Sequence, residues 1–179
     1  MRRSATQSCL LAGLLLAGCA GPPPRPVAEE AQPSSADGPS ADDQAYFDSI
    51  YAEARREWEP KARAGDAQSQ RQLGVTYYLG QGVPQNFPVA FDWFSKAADQ
   101  GDHVAQLSLG VMYTEGQGVP QDLVHAHMWL TLSAQQGNSG ADTRLAVLTP
   151  RMSAEQVAEA GRALAEWKAG HPGGKVAQH

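Results

Sequence analysis

The sequence predicts an all-α fold, a short α-α solenoid of antiparallel helix hairpins with a capping helix at each end. Three observations carry that prediction. A 36-residue unit is written twice, at 65–100 and 101–136, and 17 of its 36 aligned pairs are identical, where random pairing at ordinary composition gives roughly two or three. Helix-capping residue types recur in register, Asp66 with Asp102 and Asn86 with Asp122, and their side-chain oxygens accept from the free amides of a first turn. Each unit also holds one Gly-x-Gly-Val-Pro-Gln run between two helix-length stretches, Gly80 to Gln85 and Gly116 to Gln121. A fixed period in this range marks stacked supersecondary units, each too small to bury its own apolar face.

In chain order, residues 1–18 come first. Arg2 and Arg3, followed by the apolar run Cys9 to Leu16, have the charged and hydrophobic regions of a secretory signal. That run is eight residues long, and a membrane-spanning helix needs about 20. Leu16-Ala17-Gly18-Cys19 resembles the lipobox of bacterial lipoproteins. The resemblance implies cleavage before Cys19 and acylation of its thiol and amine. One acyl chain anchors only marginally, so the two or three chains implied would hold the protein on a membrane. The next residue is Ala20 rather than an Asp that would retain it at the inner membrane, so the expected location is the cell envelope, at the periplasmic face of the outer membrane.

Cys9 leaves with the signal and Cys19 carries lipid, so the mature domain keeps no thiol for a disulfide, a metal or catalysis. Removing Arg2 and Arg3 from the 14 basic residues leaves 12 against 19 acidic ones. That balance argues against nucleic acid, which demands a basic patch.

Residues 19–41 hold six of the twelve prolines and no aromatic residue. They bury too little apolar surface to offset the entropy of ordering and are expected to form a disordered tether. A capping helix is expected over 42–64, where Tyr46, Phe47, Ile50, Tyr51, Ala54 and Trp58 recur at spacings of three and four. Shifted by one repeat, Ala54 falls on Ala90 and Ala62 on Ala98, so the segment reads as the second helix of a degenerate leading unit. Pro60 should end or kink it.

In each full unit the first helix should end at Gly80 or Gly116, since glycine enters left-handed conformations freely. Gly82, Gly118, Pro84 and Pro120 complete the turns. Gly74 and Gly110 fall inside the first helices, where glycine costs about 1 kcal/mol against alanine. Their recurrence, with that of Ala90 and Ala126, suggests helices in close approach. Tyr77, Tyr113, Trp93 and Trp129 are expected to fill the layers between hairpins. Residues 137–169 form a partial third unit: Asn138 keeps the cap register and Leu145 that of Leu109 until Thr149-Pro150 departs from it. Ser153-x-x-Gln156 is placed as a capping box for a last amphipathic helix, suited to closing a stack. Residues 170–179 are expected to be a disordered tail.

The pattern Gly-Asp-x-x-Ala-x-x-x-Leu-Gly-x-x-Tyr-x-x-Gly-x-Gly-Val-Pro-x-Asp-x-x-x-Ala-x-x-Trp resembles that of Sel-one-like repeats, relatives of the tetratricopeptide repeat. Residues 101–136 match it almost throughout, and 65–100 depart at Ser69 and Asn86. The resemblance implies a right-handed superhelix and a role in protein binding or complex assembly. It implies no catalytic residues and no cofactor.

Chemistry elsewhere is weak. His125 and His127 form an H-x-H pair, but positions two apart do not share a helix face, so no metal site is expected. The Gly-x-Gly turns follow no strand and precede no Lys-Ser/Thr, so they are not phosphate loops. The better candidate is a face. With Ser69, Leu73 and Tyr77 on the core side, Arg71, Val75 and Tyr78 point elsewhere, as do Leu107, Val111 and Thr114 in the copy. First helices line the concave surface of a solenoid, and apolar residues there suit capture of a peptide or helix. The competing expectation is that Val75 and Val111 pack against the neighbouring hairpin. The sequence thus points to a lipid-anchored, non-enzymatic adaptor for an envelope protein or peptide, with a peptidoglycan binder or cell-wall-acting enzyme as the alternative.

Overall fold

A computed structural model of the chain describes residues 41–171. The expected signal segment, Cys19, the tether up to residue 40 and the tail from 172 lie outside the described residues. Within them the protein is all-helical: α1 (Ala41–Arg63), α2 (Ala67–Leu79), α3 (Phe87–Asp99), α4 (His103–Glu115), α5 (Leu123–Ala134), α6 (Ser139–Leu148), a single 3-10 turn (Thr149–Arg151) and α7 (Ala154–Gly170). Each helix packs on the next through α6, and α7 returns to lie against α5. This is a short helical solenoid built from hairpins α2–α3 and α4–α5.

The caps explain the boundaries. The side chains of Asp66, Asn86, Asp102, Asp122 and Asn138 each accept a first-turn amide, and Ser153 and Gln156 form a reciprocal capping box. Gly80 and Gly116 end α2 and α4 in the left-handed region, with φ of 73° and 70°. The turn that follows is tied down by its own glutamine: Gln85 Nε2 donates to the Tyr78 carbonyl at 2.8 Å, and Gln121 Nε2 to that of Thr114 at 2.6 Å.

The helical glycines are sites of contact. A Cβ on Gly74 would lie 2.6 Å from the Phe94 ring, and one on Gly110 2.6 Å from Leu130 Cγ. Each hairpin therefore closes with one large side chain of its second helix seated on bare backbone of its first. Phe94, Ala97 and Ala98 of α3 join Ala105, Leu109 and Met112 of α4 and Met128, Trp129 and Leu132 of α5 in one core cluster. A second joins Ala126 and Leu130 to Ala141 and Leu148 of α6.

A buried glutamine ladder links successive units. Gln70 Nε2 donates to the Ala62 carbonyl and its Oε1 accepts from Gln100, at 3.0 and 2.7 Å. One repeat later Gln106 donates to the Ala98 carbonyl and accepts from Gln136, at 3.2 and 2.8 Å. Buried amide groups are stable only when bonded in this way.

Three expectations are corrected. Pro60 does not end α1, which runs on to Arg63. The ring removes one helical hydrogen bond, while the last turn is held by buried Ala62 and by Gln70 on its carbonyl. The tail does not begin at residue 170: Gly170 is still helical. His171 Nδ1 lies 2.8 Å from the Trp167 carbonyl oxygen, and its ring stacks on Trp167 at 4.5 Å. Finally, Trp93 does not fill a layer as Trp129 does. Trp129 is 7% exposed in the core, whereas Trp93 is half-buried beneath Lys96, whose Nζ stands 4.3 Å from the ring. Trp129 is covered by Trp167 of α7, edge-on at 5.7 Å.

Candidate functional site

Helices α2, α4 and α6 are the first helices of three successive units, and two cavities open along the face they share. The smaller, about 200 Å³, is lined by Tyr78, Phe94, Leu107, Ser108, Val111 and Arg144. The larger, about 470 Å³, is lined by Thr114, Leu130, Gly140, Thr143, Arg144, Val147, Leu148 and Arg151. They are one site repeated. Advanced by 36 residues, Tyr78, Phe94, Leu107, Ser108 and Val111 become Thr114, Leu130, Thr143, Arg144 and Val147. Arg144 borders both.

Of the six positions expected on this face, Tyr78, Leu107 and Val111 meet in the first cavity and Thr114 lines the second. Arg71 and Val75 line neither. Arg71 Nε is 3.0 Å from Asp102 Oδ2, with the two side chains 23% and 15% exposed, so Asp102 caps α4 with one oxygen and binds the preceding unit with the other. Val75 packs against the core cluster. The sequence reading missed Arg144, Val147 and Arg151. The register of Asn138 and Leu145 pointed to them, since Val75, Val111 and Val147 occupy one repeat position.

Tyr78 is fixed rather than free. Its hydroxyl donates to Gln117 Oε1 at 2.7 Å, and its ring meets Phe87 and Phe94 edge-on at 5.4 and 6.3 Å. Burial, with Glu115 nearby, pushes its phenol above the ordinary range, and Arg144 opposes the shift. Thr114 donates to the Gly110 carbonyl at 2.7 Å. The first cavity is thus a rigid, aromatic-walled pocket with a cationic rim. Val147 lies on the open side of the second and is 64% exposed.

The histidines do other things. His125 Nδ1 lies 2.6 Å from Asp122 Oδ2, and its ring stacks on Tyr113 at 5.4 Å. Burial pushes the His127 imidazole below its usual range. Among the described residues no three His, Cys, Asp or Glu side chains are grouped to hold a metal ion. No described helix is long and apolar enough to cross a membrane.

Hairpins stacked in register, with one cavity per step, define a solenoid of the interaction-scaffold class. Residues 67–102 and 103–138 each match the Sel1 repeat model, so the chain carries two Sel1 repeats. Two solved structures are similar. One is a protective antigen of uropathogenic Escherichia coli with an SLR fold, 26% identical over 74% of this chain and 30% of its own, with a TM-score of 0.64. The other is a Sel1 repeat protein from Oxalobacter formigenes, 44% identical over 51% of this chain and 26% of its own, with a TM-score of 0.50. The chain therefore spans less than a third of either relative. No curated protein matches it.

Proposed function

We propose that this chain is a non-catalytic adaptor of the bacterial cell envelope, anchored by lipid at Cys19, that captures a partner protein through the face of α2, α4 and α6. One observation carries the binding face: the same cavity recurs a repeat apart, lined by residues at equivalent repeat positions. Sel1-repeat proteins generally mediate protein–protein interaction, which agrees with it. A photoreactive side chain at Val111 or Val147 should crosslink a discrete partner in intact cells, while the same group at exposed Asp92 on α3 should not. Equal capture from both faces would sink the assignment.

The anchor rests on the lipobox resemblance of Leu16 to Cys19 and on the apolar run before it. Cys19→Ser should move the protein from the membrane fraction to the soluble fraction after cell lysis. Membrane retention of that variant refutes lipid anchoring without touching the binding face.

A further inference from the structure

We propose that the paired cavities take an extended acidic segment of the partner protein, with apolar side chains three residues apart in the two cavities and carboxylates on Arg144 and Arg151. The inference deepens the binding-face reading and rests on it. Spacing supplies the first argument. The two cavities lie one repeat apart along the face that α2, α4 and α6 share. An extended chain of polyproline type rises about 3.1 Å per residue with three residues per turn. Residues i and i+3 therefore point to the same side about 9 Å apart, so one extended segment can present two side chains along this face.

Charge supplies the second argument. The chain carries a formal charge of −5, yet the two charged side chains that line the larger cavity, Arg144 and Arg151, are both cationic. Arg144 and Arg151 flank Val147 on α6 and the turn after it, all three are exposed, and no described acidic residue pairs with either arginine. Glu115, at the end of α4, is the acid near the Tyr78 side of the groove. Two guanidiniums beside an exposed valine suit a ligand that brings carboxylates and an apolar side chain together. Guanidinium forks bind carboxylates in a bidentate manner. A basic segment would meet repulsion here, and a neutral one would leave both arginines without partners.

The test uses the full chain in detergent and fluorescein-labelled synthetic peptides read by anisotropy. The acidic probe has two leucines three residues apart, followed by two aspartates, in a proline-alanine frame. It should bind, and its counterpart with lysines for aspartates should not. R144E with R151E should weaken the acidic probe about tenfold or more, because two exposed pairs become repulsions. Arg56→Glu with Arg162→Glu, on other faces, makes the same change in net charge and should leave binding unaltered. Far-UV circular dichroism should show all variants equally helical.

Equal binding of the two probes, or equal weakening by both double variants, overturns the proposal. So does concentration-dependent self-association that R144E with R151E abolishes, since a second copy would then be the occupant. Capture from Val111 that survives R144E with R151E overturns the acidic segment alone and leaves the binding face standing. Loss of capture from Val111 in the unaltered chain removes both.

Discussion

Gly118→Ala should destabilise the fold by about 3 kcal/mol, and Gly116→Ala, two residues earlier in the same turn, by about 1 kcal/mol. Both glycines are left-handed, with φ of 76° and 70°, so both substitutions carry the same backbone strain. Their surroundings differ. A Cβ on Gly116 would find its nearest neighbour, Gln121 N, at 3.4 Å, an ordinary contact. A Cβ on Gly118 would lie 2.6 Å from the Phe87 carbonyl carbon, 2.7 Å from its oxygen and 2.9 Å from Pro88 N. Those are backbone atoms of the preceding unit, so relief requires the two hairpins to move apart.

The same joint occurs one unit earlier, where a Cβ on Gly82 would lie 2.9 Å from Tyr51 Cβ and 3.0 Å from the Asp48 oxygen. Tyr51 is the repeat counterpart of Phe87, so α1 meets Gly82 at the position where α3 meets Gly118. Tyr78 spans the later joint through its bond to Gln117. Urea unfolding followed by circular dichroism, with midpoints compared at matched slope, measures the difference. Equal losses at 116 and 118 would show that the second glycine serves turn geometry alone.

That joint marks where sequence reading stopped. The helices and their caps were legible because they depend on neighbours in the chain. Asp66 and Asn86 cap within three residues, and Gly80 ends a helix by its own φ. The periodicity even carried the close approach at Gly74 and Gly110, since a helix does not place glycine twice at one position without a packing reason. What was not legible depends on residues about a repeat apart whose pairing no local pattern announces. Gln100 reaching Gln70, Arg71 turning to Asp102, and Gly118 touching Phe87 are all of this kind.

The candidate face shows the same division. Tyr78, Leu107, Val111 and Thr114 could be placed on it by helical geometry, because a residue's side of a helix follows from spacing. Arg71 lay on the right side as well, but a carboxylate from the next unit holds it. Val147 was missed although Asn138 and Leu145 carry the register through α6, because the third unit loses its glycine turn at Thr149-Pro150 and the face was followed only through the two complete units. Its exposure follows from its place in the stack: α6 has no further first helix beyond it among the described residues, whereas Val75 has α4.

Trp129→Ala should cost about 3–5 kcal/mol, and Trp93→Ala about 1 kcal/mol, although the two tryptophans occupy one repeat position. Trp129 is 7% exposed and meets Trp167 of α7 edge-on at 5.7 Å. Trp167 in turn stacks on His171, and Ala163 and Leu164 of the same helix pack on the cluster that contains Trp129. Removing the indole therefore opens a cavity and undercuts the docking of a whole helix. Trp93 is half-buried and loses its contact with Lys96 and only part of an indole's burial.

The two variants should also differ in where the molecule loosens. A solenoid is stabilised by each unit and its neighbours, so a defect spreads by contact rather than through the whole. In Trp129→Ala, hydrogen exchange should accelerate first across Ala154–Gly170, the helix that Trp129 holds, while α2 and α3 keep their protection. Uniform acceleration over α2 to α7 would mean that the stack unfolds as one unit and that α7 is part of its cooperative core. Retained protection in α7 would mean that Ala163 and Leu164 hold it without the tryptophan.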